Sequence, residues 1–384
     1  MAATRRAVLL VGGGAVLIAG AGAAGWALTR APNAAREPWR RAADGFGDPR
    51  LDALAYAILA PNPHNMQPWR VRLDGDDALT VFCAPDRLLP ETDPMNRQIA
   101  IGFGCFLELF RQAAAEKGYS ADFSYFPDGE PWPTLDGRPV AQARLVADGA
   151  AARDPLFGGA LERRTNRAPF DLNRSVDPAI LDRIVGASVP GVEAAATGDP
   201  ARVEELRVLA AEAWEIEWNN APTRRESLAV TRIGKREIDA SPWGLSLAGP
   251  MIEALAATGP LTRENMDVNG TIAYRQSLAF YDRACRTATA FVWSATAGNS
   301  RRDQLEAGRA WVRMQLAANA EGVSFHPLSQ ALQEYPAMAG LYEKAHALLA
   351  GGEGGAVQML ARLGYAKAPP PSPREPLTAK LIGA

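Results

Sequence analysis

Ten residues, Ala60-Pro61-Asn62-Pro63-His64-Asn65-Met66-Gln67-Pro68-Trp69, restrict what this chain can fold into more than any others. Their three prolines fix φ and remove backbone donors, while Asn62, His64, Asn65 and Gln67 bring side chains that bond to nearby backbone. An amphipathic run at 51–59 leads in and an alternating run at 69–73 leads out, so the stretch reads as a rigid helix-to-strand turn. A plain connection needs less polar chemistry than this. Either the turn is heavily capped, or some of these side chains face a ligand.

The rest of the chain sets the frame for that turn. With 384 residues and 47% apolar content it can bury a full core, as one large domain or two intimate ones. A net charge of −2 gives no electrostatic case for nucleic acid, which calls for a basic face. The basic residues are nearly all arginine, the better fork for phosphate. Cys83, Cys105 and Cys285 form no Cys-x-x-Cys pair and read as buried free thiols. His64, His326 and His346 are too far apart for metal-ligand spacing, and no nucleophile with a sequence-adjacent base stands out.

Thr4-Arg5-Arg6 followed by an uncharged run at 7–28 is the pattern of an export signal of the twin-arginine type. A permanent membrane anchor is the competing reading, since about 20 apolar residues span a bilayer. Gly12-Gly13-Gly14 does not make a dinucleotide-binding loop: Leu17 stands where the last glycine belongs, and no amphipathic helix follows. Residues 31–47, with Pro32, Pro38, Gly45 and Gly47, read as a linker with at most one short helix.

A first α+β half spans 48–150. Asp48-Pro49 starts a helix running to about 59, a hairpin covers 69–82, a long helix covers 96–117, and strands fall at 122–126 and 141–146. Gly102 and Gly104 in the long helix predict close approach of another backbone. A second half spans 151–384. It holds a short helix at 154–164, a helix, strand and helix over 178–217, long helices at 274–295 and 303–319, a strand at 323–328, a helix at 337–349 and a strand at 357–364. Residues 219–270 are broken by Pro222, Gly234, Pro242, Gly244, Pro250 and Gly259, with Trp214, Trp218 and Trp243 in or beside them. They read as a lid over a site or as a peripheral helical insertion.

Arg163-Arg164-Thr165-Asn166-Arg167 gathers three guanidinium groups and a hydroxyl within five residues. That set suits a phosphate, which bidentate arginine and hydroxyl donors hold best; a solvated basic helix end is the bland alternative.

Three stretches together resemble the FMN-dependent nitroreductase family, and in particular its Acg-like branch of long single chains. The turn at 60–69 resembles the family's Pro-x-x-x-Asn-x-Gln-Pro-Trp segment along the flavin ring. Arg163 to Arg167 resembles its Arg-x-Ser-x-Lys/Arg element, and Arg362-Leu363-Gly364-Tyr365 with Arg374 resembles its closing strand and late phosphate-binding base. The resemblance implies an α+β, nitroreductase-like fold of two related halves with a helical lid or insertion. It implies FMN, with Arg163, Arg164, Thr165, Arg374 and Ser372 at the phosphate and ribityl end. Arg167 would lie at the N1/O2 edge, and Asn62, Pro63, His64 and Asn65 along the ring. Ser372 replaces a lysine found in some members, so one positive charge is missing, and Arg164 is the candidate to replace it.

The order of the stretches departs from the family. The first half carries the ring segment without an arginine element, and the second carries both arginine elements without a ring segment. A fused pseudo-dimer with one surviving site fits that order, either as a monomer or as a dimer of such chains. The implied activity is ping-pong reduction of a small-molecule acceptor, a nitroaromatic or quinone, with electrons from NAD(P)H or another donor. The alternative is an FMN-binding or storage protein whose lid shuts the flavin away from turnover. Export by the twin-arginine machinery would place the protein outside the cytoplasm or on the membrane, away from cytosolic NAD(P)H.

Overall fold

The computed structural model describes residues 29–350 and 355–383. The segment at 1–30, read as an export signal or membrane anchor, lies outside them except for Thr29 and Arg30. No helix among the described residues is long and apolar enough to cross a membrane.

Residues 31–47 are not a loose linker. A 3-10 turn at Ala34–Arg36 and helix α1 (Glu37–Asp44) bury Pro38, Trp39 and Ala42 against the body. Pro38 sits in the first turn, where its missing N–H costs nothing. Helix α2 (Pro49–Ala57) starts as expected, with Asp48 accepting from the Arg50 N–H at 2.8 Å.

Strands β1 (Trp69–Asp74) and β2 (Ala78–Cys83) form the hairpin. Helix α3 (Arg97–Glu116) follows, then β3 (Tyr119–Tyr125) and β4 (Pro139–Ala147). The four strands make an antiparallel sheet in the order β1-β2-β4-β3. The second half opens with a 3-10 turn at Pro155–Gly159 in place of the helix expected over 154–164. Its last two residues, Gly158 and Gly159, are poor helix formers, and no α-helix propagates from it. Helix α4 (Pro178–Gly186), strand β5 (Glu193–Thr197) and helix α5 (Pro200–Asn219) fall where the sequence put them.

Residues 219–270 fold into short pieces: α6 (Ala221–Ala229), β6 (Thr231–Ile233), α7 (Gly234–Ala240), β7 (Leu245–Leu247), α8 (Pro250–Ala257) and α9 (Arg263–Asp267), with β6 and β7 paired in parallel. The long helix expected over 274–295 is instead helix α10 (Ile272–Arg286) and strand β8 (Ala290–Thr296). β8 runs between β5 and β10 (Ala356–Gly364) and is buried along nearly its whole length. A strand covered on both faces has no alternation to separate it from a buried helix. Helix α11 (Arg301–Ala320), strand β9 (Ser324–Pro327) and helix α12 (Ala339–Leu349) complete the half, whose sheet has the order β5-β8-β10-β9.

The two halves meet where α3 crosses α11. A Cβ on Gly104 would lie 2.0 Å from the Leu305 carbonyl oxygen, and a Cβ on Gly308 would lie 2.0 Å from that of Ile101. The contact is reciprocal, and so are the helix starts. Arg97 donates to the Leu332 carbonyl of the second half at 2.7 Å, and Arg301 to the Pro131 carbonyl of the first half at 2.9 Å. Glu108, fully buried on α3, forms ion pairs with Arg111 and with Arg309 and Arg313 of α11; Arg111 and Arg309 hold its pKa at about 2 despite burial. One apolar core runs through both halves, from Leu54, Trp69 and Phe106 to Trp311, Phe325 and Leu363. A second, with Trp214, Trp218, Phe291 and Leu332, lies beneath α5 and α10. The chain end returns to the first half, where Leu381 bridges Val71 in parallel and the Ile382 N–H donates to the Val71 carbonyl at 2.9 Å. Cys83, Cys105 and Cys285 are buried and free, as expected.

Candidate functional site

The decapeptide holds three non-glycine residues at positive φ: His64 at 47°, Asn65 at 56° and Gln67 at 51°. Such backbone is costly and persists only where its surroundings fix it. Asn62 Oδ1 accepts from the Gln67 N–H at 2.8 Å, while its amide donates to the Ala60 carbonyl at 3.0 Å. Asn65 Nδ2 donates to the carbonyls of Gly244 at 3.3 Å and Pro373 at 3.1 Å. Gln67, fully buried, donates to the Pro242 carbonyl at 2.8 Å and accepts from the Glu375 N–H at 2.9 Å. The decapeptide is thus clamped between residues 242–244 of the insertion and the chain end. Gly102 leaves it room: a Cβ there would come within 3.1 Å of Asn62 Cβ and 3.6 Å of Pro63 Cδ.

Both arginine stretches reach the same place. Arg163 Nη2 donates to the Leu59 carbonyl at 2.7 Å and Nη1 to Gln315 Oε1 at 3.1 Å, while its buried Nε has no partner. Arg374 donates to the carbonyls of Ile58 at 3.1 Å, Leu59 at 2.9 Å and Ala60 at 3.1 Å, to Asn65 Oδ1, and to Ser372 Oγ at 2.8 Å. Arg164 donates to the Leu161 and Arg163 carbonyls at 2.7 and 2.8 Å. The Trp39 ring lies within 5.7 Å of the Arg163 guanidinium carbon, 5.0 Å of that of Arg164 and 5.5 Å of that of Arg374. Its indole N–H donates to the Ser372 carbonyl at 2.8 Å. None of these three guanidinium groups has a carboxylate partner within ion-pair distance among the described residues. Burial lowers the Arg163 pKa to about 10, and burial with the charges of Arg163 and Arg164 pushes Arg374 well down. Arginine stays charged at pH 7, so these three guanidinium groups make an electropositive cluster.

A second cluster adjoins the arginine stretch. Arg362 on β10 donates to the carbonyls of Asn166 at 3.3 Å and Ala168 at 2.7 Å, on either side of Arg167. It also donates through Nε to His326 Nδ1 at 2.8 Å, and His326 Nε2 lies 3.3 Å from the Tyr281 hydroxyl. Arg167 is exposed, and its positive charge adds to burial in lowering the pKa of both His64 and His326. His64 Nε2 lies 2.9 Å from Ser227 Oγ on α6, and burial beside Arg167 lowers its pKa to about 4, so the imidazole is neutral at pH 7. Glu217, 3% exposed at the end of α5, takes a 2.9 Å hydrogen bond from Gln333, and burial raises its pKa to about 7.

Of the residues proposed from sequence, Asn62, Asn65, Arg163, Ser372 and Arg374 meet in one hydrogen-bonded unit, with Pro63 against α3 and Arg164 stacked beside Trp39. Arg167 and Thr165 form no side-chain hydrogen bond or ion pair among the described residues, and His64 turns to the insertion. Gln67, read from sequence as a side chain that bonds nearby backbone, does so at the centre of the clamp. Sequence reasoning missed Trp39, Glu217, Ser227, Tyr281, His326 and Arg362 as site residues. Of these, Trp39, after Pro38 in a segment otherwise rich in charge, and Arg362, within a quoted strand, carried some signal. Among the described residues no three His, Cys, Asp or Glu side chains are placed to hold a metal ion.

No family model matches the chain. Over 118 residues it is 35% identical to the Mycobacterium tuberculosis protein named "Putative NAD(P)H nitroreductase acg", across 31% of this chain and 34% of that protein. Over 139 residues it is 32% identical to an uncharacterized protein of the same organism, across 35% of this chain and 40% of the other. The matches therefore span well under half the length of these curated relatives. Among solved structures, the FMN-dependent nitroreductase NfnB from Mycobacterium smegmatis in complex with NADPH aligns over 58% of this chain and 95% of that chain, at 17% identity and a TM-score of 0.34. A "putative nitroreductase" from Anabaena variabilis aligns over 80% of this chain and 82% of that chain, at 10% identity and a TM-score of 0.45. This α+β chain is thus similar, through about a third of its sequence, to proteins that bear the nitroreductase name.

Proposed function

We propose that this chain is an FMN-dependent oxidoreductase of the nitroreductase type, which takes electrons from NAD(P)H or another donor and passes them to a small electrophile such as a nitroaromatic or quinone. The observation that carries this reading is the meeting of the decapeptide with both arginine stretches, through Arg163 and Arg374 on the carbonyls of residues 58–60. The donor chemistry fits a flavin phosphate. Three guanidinium groups without a carboxylate partner await an anion, and the orphaned Arg163 Nε is a buried donor of the right kind. Arg374 spends its N–H groups on protein, so its contribution is charge and the fixing of Asn65. Arg164, Thr165 and Arg167 keep donors to offer.

FMN when bound supplies the electron transfer. The chain binds, orients and shields it. Arg167 brings positive charge to the ring edge, neutral His64 lines the ring with Asn62, Pro63 and Asn65, and residues 219–270 act as a lid. The reciprocal crossing of α3 and α11 supports the fused pseudo-dimer, with one site built from both halves. Export through the twin-arginine route remains the localisation that Thr4-Arg5-Arg6 favours.

One observation favours a second reading, a flavin binder without turnover. The lid is bonded to the decapeptide through Ser227, Pro242 and Gly244 in the described fold. The visible spectrum of the purified chain, before and after anaerobic NADPH, separates the two. A flavin band bleached by NADPH supports the oxidoreductase. A band that only dithionite removes favours the shielded binder or another donor. No band even after reconstitution with FMN refutes both.

A further inference from the structure

Tyr281, half-buried on α10, ends a chain of contacts whose proton positions chemistry fixes. A guanidinium N–H only donates, so His326 Nδ1, which receives the Arg362 Nε–H at 2.8 Å, carries no proton. Burial beside Arg362 and Arg167 keeps the imidazole neutral, which leaves its one N–H on Nε2. That N–H, 3.3 Å from the phenol oxygen, donates to Tyr281. Gln330 Nε2 donates to the same oxygen, also at 3.3 Å.

Both lone pairs of the Tyr281 oxygen are therefore taken, and its own proton has no acceptor among the described residues. Trp214, with ring centroids 4.5 Å apart, fixes the phenol ring, and Arg362 ties the assembly to the backbone on both sides of Arg167. A hydroxyl so constrained is a directed donor.

We propose that Tyr281 presents its hydroxyl hydrogen to an oxygen of the bound redox ligand beside Arg167, with His326 and Arg362 as positioning residues. The inference rests on the flavin reading above. Two oxygens share the required chemistry, a carbonyl of the FMN pyrimidine ring and an oxygen of the nitro or quinone acceptor.

The test uses the FMN-loaded chain and the variants Tyr281→Phe, His326→Gln and His326→Leu. FMN affinity and midpoint potential are measured first. Binding of 4-nitrobenzoate to the oxidised protein is then followed through the flavin spectrum, where no electrons are present for turnover. Loss of one directed hydrogen bond predicts about a tenfold effect in Tyr281→Phe. If the partner is the flavin oxygen, FMN binds about tenfold more weakly, or the potential falls by about 30 mV, the equivalent of tenfold for a two-electron couple. If it is the acceptor oxygen, only 4-nitrobenzoate weakens. His326→Gln, whose amide can both accept from Arg362 and donate to Tyr281, stays near wild type. His326→Leu follows Tyr281→Phe and carries the test should that variant fail to fold. Unchanged FMN affinity, potential and 4-nitrobenzoate binding in Tyr281→Phe overturn the proposal while leaving the flavin reading intact. A wild-type chain that binds no FMN removes both.

Discussion

Replacing Glu217 with glutamine should change how stability depends on pH. Glu217 is 3% exposed, and burial raises its carboxyl pKa from 4.5 to about 7. Below pH 4.5 the folded and unfolded chains both hold the proton. Between pH 4.5 and 7 the unfolded chain releases it while the folded chain keeps it, so wild-type stability falls as pH rises through this window and levels off above it. The full span is worth roughly 3 kcal/mol at about 1.4 kcal/mol per pH unit, with about 2.5 kcal/mol of it between pH 5 and 8. Glutamine keeps the acceptor for Gln333 Nε2, and its new amino group has the orphaned Gln333 Oε1 to meet. Denaturant unfolding of wild type and Glu217→Gln at both pH values gives the difference directly, with the contributions of other groups cancelling. The variant should gain on wild type by about 2.5 kcal/mol from pH 5 to pH 8. A difference that does not move with pH means that Glu217 ionises normally in the folded chain, and the account of its burial as the cause of a raised pKa fails.

Gly104→Ala places a Cβ 2.0 Å from the Leu305 carbonyl and should cost about 3 kcal/mol or more, with Gly308→Ala equally severe; unfolding midpoints within experimental error of wild type would refute the close crossing. Trp39→Ala should lose about 3–5 kcal/mol, because Trp39 is 5% exposed and packed beside three guanidinium groups. Trp39→Phe should lose far less, about 1 kcal/mol for the bond to Ser372. A mild Trp39→Ala effect in denaturant unfolding would mean that α1 is only loosely attached.

The legible parts of this chain were those with local punctuation. Asp48-Pro49, the turn after β1 and the glycine after α3 each announced a boundary through chemistry that acts over a few residues. β8 was hidden because both its faces are buried, which erases the period of two. Residues 31–47 were hidden because prolines and charges suggest solvent, whereas one tryptophan anchors them. The same division holds at the site. The decapeptide and Arg163 to Arg167 are dense in sequence and could be singled out. Tyr281, His326 and Arg362 are each ordinary in their own neighbourhood and come together only through the pairing of β9 and β10 with α10 beside them. Glu217 carries no local signal, since nothing near it in sequence says that Gln333 closes over it.

The crossing of α3 and α11 has a consequence for how this protein can change. Two separate subunits meeting through such a contact fall apart on dilution, and every substitution in one is repeated in the other. Here a single polypeptide joins both helices, so the contact persists at any protein concentration and the partners stay at a high effective concentration even when locally opened. Each side can also be altered alone. Arg97 already faces Glu334, while the matching Arg301 reaches Gln304 and three backbone carbonyls. The two ends of the crossing have different neighbours, a freedom that a pair of identical chains does not have.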